Sequence, residues 1–222
     1  MRTLQRRLAT DTRYTLLGLP LAVASFTATV AGVSAGLGSA VAFVGLPVLA
    51  ATAAASRHLA DLERVALPGV LGHPVARPPY APVPEGAGWF RRAMNPLASG
   101  QAWMDLLYGI IALPFSLAAF VLTAVWWAGA VAGLTFPIYG WAIARIPGAG
   151  EGLPWLGLPD TPTMLVVVTT AVGVLFALTL VPVVRMAALL KASVAQVLLT
   201  RAAYLPERPT VTPEPERAWQ AA

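Results

Sequence analysis

Three stretches of this chain, residues 14–56, 106–144 and 161–184, contain no Asp, Glu, Lys, Arg or His. A helix needs about 20 apolar residues to cross a bilayer. The first stretch therefore accommodates two crossings, the second accommodates one with apolar residue left over, and the third accommodates one. Composition agrees: 57% of residues are hydrophobic and 11% are charged, against about 25% charged in a soluble domain. The chain reads as an integral membrane protein.

The charges that remain mark the expected topology. Bases cluster in residues 1–13, 57–92 and 185–217, whereas residues 149–162 carry Glu151 and Asp160 and no base. Basic loops stay on the cytoplasmic side, so the three basic regions are expected inside, the acidic one outside, and both termini in the cytoplasm, which requires an even number of crossings. The high pI could suggest a nucleic-acid ligand, but the placement of the arginines argues for a membrane boundary. No cysteine is present, which removes disulfides, thiolate nucleophiles and cysteine metal sites.

A second pattern lies on top of the first. Residues 11–29 set against residues 105–123 match at Asp11 with Asp105, Tyr14 with Tyr108, Leu19 with Leu113, Pro20 with Pro114, Ala24 with Ala118, Phe26 with Phe120 and Thr29 with Thr123. Apolar composition alone would not bring an Asp, a Tyr, a Pro and a Phe into one register, so the chain is read as an internal duplication. The expected fold is an all-α integral membrane protein with four transmembrane helices, arranged as two tandem hairpin repeats with amphipathic cytoplasmic helices.

In chain order, residues 1–13 form a basic cytoplasmic arm and residues 14–56 the first transmembrane hairpin. Its small residues suit close helix contact, as do Gly32-x-x-x-Gly36 and Gly129-x-x-x-Gly133, which read as intramolecular packing. Residues 57–105 comprise an amphipathic helix over 57–67 on the inner surface and a Pro-rich extended linker. The second hairpin covers residues 106–184, with an outer loop over about 129–162, where repeated Gly and Pro argue against a regular helix. Residues 185–205 form a second cytoplasmic amphipathic helix, and residues 206–222, rich in Pro and Glu, a disordered tail.

The residues also carry a family likeness. Leu62-Glu63-Arg64, Leu71-Gly72 and Pro74 after the first hairpin, then Trp103-x-Asp105-Leu106-Leu107-Tyr108 and Leu113-Pro114, resemble the "putative sensor" membrane module of actinobacteria. That module commonly forms the amino-terminal part of two-component sensor histidine kinases; Met104 departs from a position that is often basic. The resemblance spans roughly residues 14–199 and implies four spans and signal reception. The kinase half is absent from the sequence. His58 is read as an interfacial helix residue, not a phosphoacceptor, and His73 as a loop residue.

Little catalytic chemistry is available. Ser39 has no base within a span, two isolated histidines make no metal site, and no cofactor is expected. The function read from the sequence is a non-catalytic membrane sensor or regulatory module. It would detect a membrane or envelope signal through Phe136, Tyr139, Trp141 and Trp155, bend at Pro20, Pro114 and Pro182, and act on a histidine kinase or other cytoplasmic regulator. A homodimer is left open. The alternative is a small transporter or permease component, which the absence of charge inside any expected span disfavours.

Overall fold

The computed structural model describes residues 2–39, 44–78, 80, 82, 86, 88–146, 148–149, 152–154 and 157–200. Five α-helices make up the described residues: α1 Arg2–Gly38, α2 Gly45–Leu71, α3 Trp89–Met94, α4 Gly100–Ile143 and α5 Pro162–Leu199, with a 3-10 turn at Asn95–Ala98 before α4. Their ends follow local chemistry. The hydroxyl of Ser99 accepts from the Ala102 N–H at the start of α4, and Thr161 does the same for Met164 in α5, where Pro162 fills the first turn. Gly72 ends α2 in the left-handed conformation at φ 79°, its N–H donating to the Pro68 carbonyl.

Among the described residues, three helices are long and apolar enough to cross a membrane: Thr3–Gly38, Gly100–Ile143 and Pro162–Leu199. The expected four crossings in two tandem hairpins are thereby corrected, and the reason lies in α2. This helix starts only at Gly45, so the stretch from Gly45 to Ser56 before Arg57 rises roughly 18 Å at 1.5 Å per residue, short of a hydrocarbon layer about 30 Å thick.

Packing fixes the directions. Gly32 faces Thr52, and Gly36 faces Leu49, so α1 and α2 are antiparallel. Gly109 faces Thr29, while the Trp127 indole N–H donates to the Thr12 hydroxyl at 3.1 Å, so α4 also runs against α1. Contacts of Arg185 with Asp11 and of Lys191 with Gly18 set α5 parallel to α1. Two successive long helices, α2 and α4, therefore point the same way. The intervening linker must travel back along the bundle, and it does so in contact with it: Pro78 is buried and Tyr80 half-buried.

Two expected breaks are absent. The stretch from Gly129, expected to be irregular, is helical to Ile143 through Gly133, Pro137 and Gly140. Its glycines serve packing: Gly129 receives the Phe176 ring, and Gly133 lies so close to Gly173 that a Cβ on either would fall 2.3–2.5 Å from the other's backbone. Such contact outweighs the weak helix propensity of glycine. The segments expected as separate interfacial helices, residues 57–67 and 185–205, continue α2 and α5 without interruption as far as Leu71 and Leu199. The core they share is largely alanine, with Ala60, Ala112, Ala188, Ala192 and Ala195 around Tyr14, Leu67, Val70, Tyr108 and Leu199.

Candidate functional site

The four long helices carry six charged side chains that pair within the bundle, Asp11, Glu63, Arg64, Asp105, Arg185 and Lys191. The bundle turns all six towards one another. Glu63 is the hub. Its carboxylate pairs with the Lys191 ammonium and accepts a hydrogen bond from the Tyr14 hydroxyl at 2.5 Å, and Tyr108 hydrogen-bonds the same group. Tyr14 stands on α1, Glu63 on α2, Tyr108 on α4 and Lys191 on α5, so one carboxylate joins four helices. The Lys191 ammonium also sits 3.7 Å from the centre of the Tyr14 ring, a cation–π contact. Gly18 makes this possible, because a Cβ there would collide with the lysine stem.

A second cluster lies beside it. The Arg64 guanidinium reaches Asp105 at 2.5 Å and Asp61 at 2.8 Å, and its Nε donates to the Leu199 carbonyl at 3.2 Å. Tyr80, from the returning linker, accepts from Arg64 at 2.8 Å and donates to Asp105 at 2.7 Å, while Arg57 stacks on its ring at 3.5 Å. Gln101 donates to Asp105 at 3.0 Å. Burial disfavours the Arg64 charge, yet Asp105 and Asp61 together outweigh it and hold the guanidinium protonated. Burial and then Asp105 push the Tyr80 phenol above its ordinary value, so it stays neutral and can donate. A third contact, Arg185 to Asp11 at 3.0 Å with a further bond to the Val70 carbonyl at 2.8 Å, ties α5 to α1 and to the end of α2. A charge buried without a partner is costly, and each of these six has one.

Asp11, Asp105, Arg185 and Lys191 sit on the three long apolar helices, beyond the ends of the uncharged stretches. Sequence periodicity missed them because Asp11 fell in the expected cytoplasmic arm, Asp105 at the end of the expected linker, and Arg185 and Lys191 in the expected second cytoplasmic helix. The signal that could have found them is the repeat itself, whose matched Asp and Tyr positions supply members of all three clusters.

The candidate sensing aromatics lie elsewhere. Phe136 is buried, edge-on to Tyr139 at 5.3 Å between ring centres and against Gly140. The Tyr139 hydroxyl donates to the Ala132 carbonyl at 3.2 Å, and Trp141 is exposed. Trp155 falls outside the described residues, as does the tail expected to be disordered. Tyr139 and Phe136 therefore form a local pair on α4. Pro20, Pro114 and Pro182 lie inside α1, α4 and α5, which continue across them. Among the described residues, no three His, Cys, Asp or Glu side chains are grouped as a metal ion would need.

No curated protein and no solved structure matches the chain. Residues 14–199, which hold every member of the three charged clusters except Asp11, match the family described as "Putative sensor", and the chain belongs to that family.

Proposed function

We propose that this membrane-associated sensor module detects a membrane or envelope signal and passes it to a cytoplasmic partner, a histidine kinase or another regulator. Its family is described as a sensor, and the role proposed is a non-enzymatic one. The observation that carries the reading is the Glu63 carboxylate shared by four helices. A ligand shifts a conformational equilibrium only by its differential affinity for two states. A buried ion pair offers such states, because displacing α5 from α2 would strand two charges. In this reading, Pro20, Pro114 and Pro182 are places where α1, α4 and α5 can bend, and Phe136, Tyr139, Trp141 and Trp155 form the face that meets the signal. The arginines of residues 1–13 favour the cytoplasm for that end.

The test is reconstitution with the partner. A photo-crosslinking residue at Leu189 or Val197, both exposed on α5, should capture a kinase or regulator from the native membrane. Joint replacement of Tyr139, Trp141 and Trp155 by alanine should remove the signal dependence and leave that capture intact. A triple variant that still responds would place reception elsewhere.

A transporter component is the second reading, and two observations favour it. Ionisable groups buried on spanning helices commonly mark ion pathways, and the two similar stretches at Asp11 and Asp105 lie on antiparallel helices, as in inverted-repeat transporters. Substrate flux in proteoliposomes, lost on Asp105→Asn, would establish it over the sensor.

A further inference from the structure

Between α1 and α2 the structure leaves a groove of about 460 Å³ that the charged clusters do not fill, a volume within the range of small-molecule sites. The helices touch on either side of it, where Thr29 meets Ser56 and where Thr10 faces Gly69, and part in between. Leu17 and Leu21 from α1 and Leu62 and Val65 from α2 form apolar walls, and Tyr14 and Glu63 form the floor. Leu17, Leu62 and Val65 are 58%, 58% and 69% exposed, so an occupant would cover apolar surface on both helices. At the rim stands Arg13, exposed and without a hydrogen bond or ion pair among the described residues.

We infer that this groove binds a single-chain anionic amphiphile, its chain between Leu17, Leu21, Leu62 and Val65 and its carboxylate on Arg13. Charge decides the sign of the head group. Glu63 and Lys191 cancel in the floor, Arg13 adds one positive charge, and a guanidinium matches a carboxylate with two parallel hydrogen bonds. Volume decides the chain count, since one groove of this size takes one acyl chain. The inference rests on the sensor reading and gives it a ligand class. Because Lys191 lies behind Gly18 at the floor, an occupant there touches the residues that join α5 to α2.

The experiment uses the full chain in phosphatidylcholine nanodiscs, with 11-(dansylamino)undecanoic acid as fluorescent probe and empty discs as background. Palmitate should displace the probe and methyl palmitate should not. Arg13→Gln should weaken probe binding by about tenfold or more, a loss of roughly 1.4 kcal/mol or more, while Arg13→Lys keeps most of it. Leu17→Trp with Val65→Trp, at two exposed positions where bulk does not disturb the core, should abolish binding with the helical circular dichroism unchanged. Equal displacement by methyl palmitate, or native binding by Arg13→Gln or by the double Trp variant, would overturn the proposal. Loss of probe binding when phosphatidylglycerol is added to the discs would also overturn it, by assigning the groove to a two-chain membrane lipid. Binding is read on the protein alone, so probe binding without any effect on a captured partner would sink the sensor reading and leave the site standing.

Discussion

The bundle around Glu63 and the far end of the α4/α5 hairpin around Gly133 and Gly173 are held together by opposite means. Around Glu63, four helices are joined by six charged side chains, two tyrosines and an alanine core, and each polar contact is specific in distance and partner. At Gly133 and Gly173, two helices meet backbone to backbone, with the Trp126 and Phe176 rings packed 5.1 Å apart alongside. The first arrangement has discrete alternatives, because a charge is either paired or stranded. The second has none, because glycine contact changes only by separation. A part that reports a signal belongs in the first kind of structure, and a part that keeps two helices together in a membrane belongs in the second.

This contrast can be broken most severely at its hub. Glu63→Gln should destabilise the protein by about 3–5 kcal/mol, because the buried Lys191 ammonium is left unpaired. Thermal unfolding in detergent would show it, and the double variant Glu63→Gln with Lys191→Met should recover most of the loss. If Glu63→Gln unfolds like the native chain, the ion pair is not what joins the helices. Next in size is Gly133→Leu, which forces α4 and α5 apart at their crossing and should cost about 1–3 kcal/mol. Distance measurements between spin labels on α4 and α5 should widen there, while the pairing at Glu63 stays intact, and an equal disturbance at both ends would show that the two regions are one mechanical unit.

A smaller effect is expected at the linker. Tyr80→Phe removes a hydroxyl shared by Arg64 and Asp105, each of which keeps other partners, for a loss of about 0.5–1.5 kcal/mol. The pH dependence follows from the same contact. The Tyr80 phenol is raised above 10 in the folded state by burial and by Asp105, so its contribution is complete below pH 10 and is lost as pH climbs through the raised value. A native minus Tyr80→Phe difference in tyrosinate absorbance should stay flat through pH 10, and a normal titration near 10 would free Tyr80 from the cluster. The smallest change is Asp61→Asn. Its pair with Arg64 is partly exposed, and such pairs contribute about 0–1 kcal/mol, so unfolding should shift barely if at all.

Membrane residence and helical content follow from residues 14–56, 106–144 and 161–184, because an uncharged run of that length has few alternatives in a bilayer. The family likeness was legible too, in the same boundary residues that later proved to hold the clusters. Small-residue matches at Gly32/Gly36 and Gly129/Gly133 read correctly as packing within the chain. Three features were not legible. The number of spanning helices depended on where α2 starts, which a run of Ala, Val and Gly does not encode. The helix through Gly129 and Pro137 depended on a partner helix close enough to reward glycine. The site depended on which charges meet, and Asp11 finds Arg185 across nearly the whole length of the chain. Local sequence sets hydropathy and the caps at Ser99, Thr161 and Gly72 because those are properties of neighbouring residues. Pairing of buried charges belongs to the tertiary structure, because only the approach of distant helices removes water from a carboxylate and supplies its counter-ion in the same step.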